Sequence, residues 1–171
     1  WEDVSVERRE KYAPDLGEGL YRRSMYTFWK RTCPPPGMTT FDAPDRETCL
    51  IRRARTNTPL QALVLLNDPT YLEASRKFAE RVLSTSSNDA ERLLQAFELA
   101  VSRAPAPDET AVLLEILRAA KAKFEADPAA AEALITIGHS HREASIPAAE
   151  LAAWTTVSSV ILNLDETISK P

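Results

Sequence analysis

Glycine is nearly absent: four residues in 171. That scarcity leaves no room for a glycine-rich phosphate loop and speaks against a turn-rich β-sandwich. Cysteine is equally scarce, with only Cys33 and Cys49. The pair matches neither a zinc-ligand spacing nor a Cys-x-x-Cys-His haem attachment. Two readings stay open for it: one disulfide in an oxidising compartment, or two free thiols. No run approaches the roughly 20 consecutive apolar residues that a bilayer span needs. Histidine occurs twice, so a histidine-rich metal site is confined to one place, and no Gly-x-Ser-x-Gly elbow accompanies the scattered serines.

The charge balance excludes a further class. The formal net charge is -4, too mild to indicate nucleic acid as a partner. The charge is uneven, however. Residues 1–60 hold eleven Lys/Arg against nine Asp/Glu, and residues 61–171 hold ten against sixteen. Within 19–57 the ratio is eight to three, a local basic excess. The chain starts at Trp1 rather than Met, which is expected of a fragment of a longer protein.

What is abundant is alanine and leucine, in an ordinary globular mix of 44% hydrophobic and 27% charged residues. Residues 58–164 predict a series of amphipathic helices. Thr58, Pro59 and Gln61 form a capping-box start. Asp68-Pro69 starts a second helix, with Tyr71, Leu72, Ser75, Phe78, Ala79, Val82 and Leu83 on one face. Asn88 with Glu91 opens a third, carrying Leu93, Leu94, Phe97 and Val101. Pro107 starts a fourth, carrying Val112, Leu113, Ile116, Leu117 and Phe124. Asp127-Pro128 starts a short fifth that stops near Gly138. Pro147 starts the last, with Leu151, Trp154, Val157, Ile161 and Leu164. The fold expected is mainly α, a bundle of about six helices with short loops and sequential antiparallel neighbours. No repeat of fixed period indicates a solenoid.

Residues 1–57 read as an irregular, aromatic N-terminal arm packed on the 58–171 bundle, the two making one domain. A short strand is expected at Arg22–Tyr26. Cys33-Pro-Pro-Pro-Gly37 must be extended or turning. Tyr26, Phe28, Trp29 and Phe41 are expected to insert into the bundle.

Three ordered motifs carry a family resemblance. LYRRSMYTFWKRTCPPPGMTTFDAPDRETC is followed by RRARTNTPLQALVLLNDPTYLEASRKFAERVL, and AELAAWTTVSSVILNLDET comes near the end. Together they resemble the planctomycete-specific C-terminal domain of unknown function, PSD-one type, found at the end of planctomycete cytochrome C domain-containing proteins. The resemblance implies a large, exported, extracytoplasmic parent with a haem domain far upstream. It supplies no catalytic residues, and no cofactor is expected in this chain.

The candidate sites have bland alternatives. Arg52, Arg53 and Arg55 precede the helix start at Thr58 and could hold an anion, or pair with Asp42, Asp45 and Glu47. Those three acids could do acid/base work or hold a metal, or form a turn. Arg22, Arg23, Lys30 and Arg31 around aromatics could bind a glycan or a single strand, or snorkel over buried rings. His139 and His141, with Glu143, could hold a metal, or sit in a polar loop. Trp154 reads as core. Three functions compete: a non-catalytic structural or interaction module docking upstream domains of its parent, or a protein or glycan partner; one wall of an active site for glycan or redox chemistry along Asp42–Arg55; and a metal module at His139/His141. The sequence leaves open whether the chain has any enzymatic role.

Overall fold

The computed structural model describes residues 15, 17–29, 34–52 and 54–169. Among these the chain is mainly helical, with eight α-helices, six of them at least seven residues long, and no strand. It divides into two compact units, Trp1–Thr56 and Asn57–Pro171.

In the first unit, Arg22–Tyr26 is not a strand. Two 3₁₀ turns, Gly17–Tyr21 and Ser24–Tyr26, occupy this region. The alternation that suggested a strand has no neighbouring strand to pair with, and each turn closes on its own backbone. A single helical turn, α1 (Pro36–Thr40), follows the proline run. The expected burial of Tyr26 and Phe28 is also corrected. Tyr26 and Phe28 are 68% and 54% exposed. Trp29 and Phe41 are half-buried, and the Arg46 guanidinium lies 4.7 Å from the Trp29 ring centroid.

The second unit holds the long helices: α2 (Pro59–Asn67), α3 (Pro69–Leu83), α4 (Asp89–Val101), α5 (Pro107–Ala126), α6 (Pro128–Ile135), α7 (Ala148–Leu162) and α8 (Asp165–Ile168). Their starts follow local chemistry. Thr58 accepts from the Gln61 N–H while Gln61 Oε1 accepts from the Thr58 N–H. Asp68, Asn88 and Asp127 each accept from a first-turn N–H of α3, α4 and α6. At α5 the capping residue is Ala106, and Glu109 reaches back to its N–H.

The organising element is α7. Its sequence, AAELAAWTTVSSVIL, has one charge in fifteen residues, Glu150. A helix apolar all round has no face to give to water and must be enclosed. α7 accordingly packs against α2, α3, α4, α5, α6 and α8. Leu151, Ala152, Ala153, Trp154, Val157 and Ile161 are all fully buried. They meet Ala79 and Val82 of α3, Leu93 and Phe97 of α4, Leu113 and Leu117 of α5, and Ala131 and Ile135 of α6 in one core. The Thr155 and Thr156 hydroxyls donate to the carbonyls of Leu151 and Ala152, which removes the cost of burying them.

Charged clamps tie the ends. Arg92 reaches the Leu83 and Ser86 carbonyls and the carboxylates of Asp89 and Glu150, joining α4 to α7. Arg103 forks onto Glu109 and Glu166, joining α5 to α8. The Arg103 hydrogen bonds, and then the Ala106 N–H, pull the Glu109 carboxyl down to about 2.

The packing around α7 is testable from two of its faces. Leu151→Ala should cost about 2–5 kcal/mol through the cavity left. Ala153→Leu, on the other side of α7, should cost about 1–3 kcal/mol through overpacking. Urea denaturation of both variants measures this. A neutral Ala153→Leu would mean that side of α7 has slack and is not enclosed.

Candidate functional site

A row of charges runs along α3: Glu73, Arg76, Lys77 and Glu80, spaced to share one helical face. Two of them are unusually buried. Arg76 is 1% exposed and Glu73 is 7% exposed. What covers them is the 138–143 segment between α6 and α7, and it is gripped by its backbone. Glu73 accepts from the N–H groups of His139, at 2.6 Å, and Ser140, at 3.2 Å. Arg76 donates through Nη2 to the Ser140 carbonyl and hydroxyl, both at 2.8 Å. Its Nη1 donates to Glu80 at 2.9 Å. Lys77 donates to Glu80 and to the His141 carbonyl. Glu80 in turn accepts from the Glu143 N–H at 3.2 Å.

Burial on its own would raise the Glu80 carboxyl. The hydrogen bonds from Lys77, the Glu143 N–H and Arg76, with the Lys77 charge, outweigh it and hold the group below its ordinary value of 4.5. Gly138 makes the approach possible. Its φ is +100°, a region L side chains rarely adopt, and a Cβ there would fall 2.7 Å from the Glu73 Cβ.

The result is a loop fastened to α3 with its histidines outward. His139 and His141 are both exposed, and Arg142 pairs with Glu132 at 2.8 Å. Among the described residues, no three His, Cys, Asp or Glu side chains gather where they could hold a metal ion.

The other sequence candidates fall as follows. Arg52 and Arg55 are exposed in the first unit, and Arg55 is engaged; Arg53 lies outside the described residues. Thr58 belongs to the second unit, and its hydroxyl is committed to the Gln61 N–H. Asp42 accepts from the Thr56 N–H at 2.8 Å and from the Thr56 hydroxyl. Asp45 accepts from the Glu47 and Thr48 N–H groups. Asp45 thus closes a turn and Asp42 ties together two stretches fourteen residues apart, with φ +58° at Asp42 itself. Glu47 is exposed and engaged. Arg22 and Arg23 are exposed, while Lys30 and Arg31 lie outside the described residues. Cys49 is an exposed free thiol, and Cys33 lies outside the described residues.

Sequence reasoning passed over Glu73 and Arg76. The only signal was four charges at 73, 76, 77 and 80. On a lone helix that spacing reads as a solvated ion-pair stripe. The partner that buries it lies more than sixty residues away.

Two outcomes are expected for this loop. Gly138→Ala should cost more than about 1 kcal/mol, with faster hydrogen exchange at the His139, Ser140 and Glu143 amides. Unchanged exchange there would show that Glu73 simply moves aside. For Glu80, a lowered folded pKa gives stability that is present above 4.5 and lost as pH falls through the folded value. The urea midpoint should therefore drop below that pH. Glu80→Gln should flatten the drop; parallel curves would mean the clamp contributes nothing to acid sensitivity.

The family model described as "Protein of unknown function (DUF1553)", PSD1, matches residues 2–117. No curated protein matches the chain, and no solved structure does. The matched stretch ends within α5, so the 138–143 loop and α7 lie beyond it. It covers more than half of the sequence, and the chain belongs to this PSD1 family of proteins of unknown function.

Proposed function

We propose that this domain is a non-catalytic interaction module, and that α2 is the face it presents. The supporting observation is an inversion. α2 reads PLQALVLLN, and its buried residue is Gln61, at 1% exposure. Leu60 and Leu63 point the other way, 58% and 61% exposed. A surface helix ordinarily turns its leucines in and its amides out. Clustered exposed leucines mark a surface meant to be covered. In the first unit Tyr21, Met25 and Tyr26 are also exposed, at 61%, 66% and 68%.

The occupant we assign to α2 is an upstream domain of the same polypeptide. The resemblance at residues 20–83 and 149–167 supports this, since it implies a large, exported, multidomain parent. The reading of Asp42–Arg55 as a catalytic wall gains less support. Asp42 and Asp45 already hold the backbone N–H groups of Thr56, Glu47 and Thr48.

The test is photo-crosslinking in the full-length parent. A photoreactive phenylalanine at Leu63 should capture a peptide from an upstream domain. The same group at Glu115, exposed on α5, should not. Equal capture at both positions, or capture at neither, would overturn the reading.

A further inference from the structure

One side of α7 is left open. The flanking helices α2 and α6 have nine and eight residues, against fifteen in α7. The residues facing the gap include small ones, Ala130 on α6 and Ser159 on α7. An open-sided groove of about 350 Å³ results, with a floor of Leu66, Leu72, Phe124, Leu134 and Val160. That volume is at the lower end for small-molecule sites.

Two polar groups in it are uncommitted. Thr155 and Thr156 also line the groove, but their hydroxyls are bonded to the carbonyls one turn back. Ser159 is more than nine-tenths buried and lines the same groove; its hydroxyl has no partner among the described residues. Lys123 stands at the rim, its Nζ 5.3 Å from the centroid of the Phe124 ring in the floor. Among the described residues no carboxylate pairs with Lys123, and the nearby Asp127 carboxylate is taken by the Ala130 N–H.

We propose that this groove binds a small anionic amphiphile, an alkyl carboxylate. Its chain would lie on the leucine and phenylalanine floor, and its carboxylate would meet the Lys123 ammonium with the Ser159 hydroxyl as a donor. A cation opposite an anion at the edge of an apolar cleft gains charge-assisted hydrogen bonding without burying an unpaired charge. A second groove sharpens the assignment. It measures about 240 Å³, and its lining, with Phe97, Val112 and Leu164, carries Asp108 and Glu109. Glu109 is matched by Arg103, and the Asp108 carboxylate should disfavour the same ligand there, so this groove serves as an internal control.

The experiment titrates decanoate, decyltrimethylammonium and decanol into the intact 171-residue chain, followed by methyl NMR. Decanoate should shift the methyls of Leu66, Leu72 and Leu134 and leave those of Val112 and Leu164 in place. It should bind more tightly than the cationic and neutral chains. Lys123→Gln, at an exposed position and with its fold checked by circular dichroism, should weaken decanoate about two- to fivefold and decanol not at all. Ser159→Leu should fill the groove and abolish the shifts. Should that variant fail to fold, Lys123→Gln decides alone. Equal binding of the three chains, shifts in both grooves, or no effect of Lys123→Gln would overturn the proposal. Since Leu60 and Leu63 lie outside this groove, the outcome is independent of the docking role of α2.

Discussion

A helix with one charge in fifteen residues cannot rest on a surface, and the second unit is arranged around that fact. α7 has an apolar or small residue at almost every angle. The charged side that α3 to α5 each turn to solvent is missing, so those helices supply most of the enclosure instead. Their own stripes are one-sided, and the stripes converge on Leu151, Trp154, Val157 and Ile161. The alanines at 152 and 153 let neighbouring backbones come close, while Trp154 supplies the largest fully buried side chain. Arg92 and Arg103 then fasten the ends, at the edge of the core rather than within it.

The α3 charge row makes the opposite choice and buries an ion. Removing a guanidinium from water costs several kcal/mol unless its donors are met. Nη1 and Nη2 of Arg76 find Glu80 and Ser140, and the Nε is left without a partner among the described residues. The return is specificity of position. Carboxylates and a guanidinium read the amides and carbonyls of residues 139–143 at fixed spacing, so the loop has one register on α3. His139 and His141 consequently project from a fixed frame.

Much of the fold was legible because it is written locally. Thr58-Pro59, Asp68-Pro69, Asn88 and Asp127-Pro128 each mark a helix start through contacts within three residues. The stripes of α3, α4 and α5 gave their core faces for the same reason, apart from Val112 and Leu94, which remain exposed. What failed depended on distant partners. The strand expected at Arg22–Tyr26 needed a second strand that the described residues do not contain. The expected burial of Tyr26 and Phe28 rests on local alternation, which carries no information about what lies above a ring. The orientation of α2 was hidden because leucine at 60 and 63 satisfies a helical period whichever way the helix faces. Glu73 and Arg76 looked like surface charges, and only the placement of residues 138–143 shows otherwise.

The enclosed helix is also synthesised after the helices α2 to α6 that enclose it. During translation α2 to α6 leave the ribosome with their inward stripes facing an empty axis. The core can close only when residues 148–162 have emerged. Folding of this unit is therefore concluded at the end rather than built up from the beginning. A nascent chain halted before that point leaves Val82, Phe97 and Leu117 bare, in the form that chaperones hold and proteases remove.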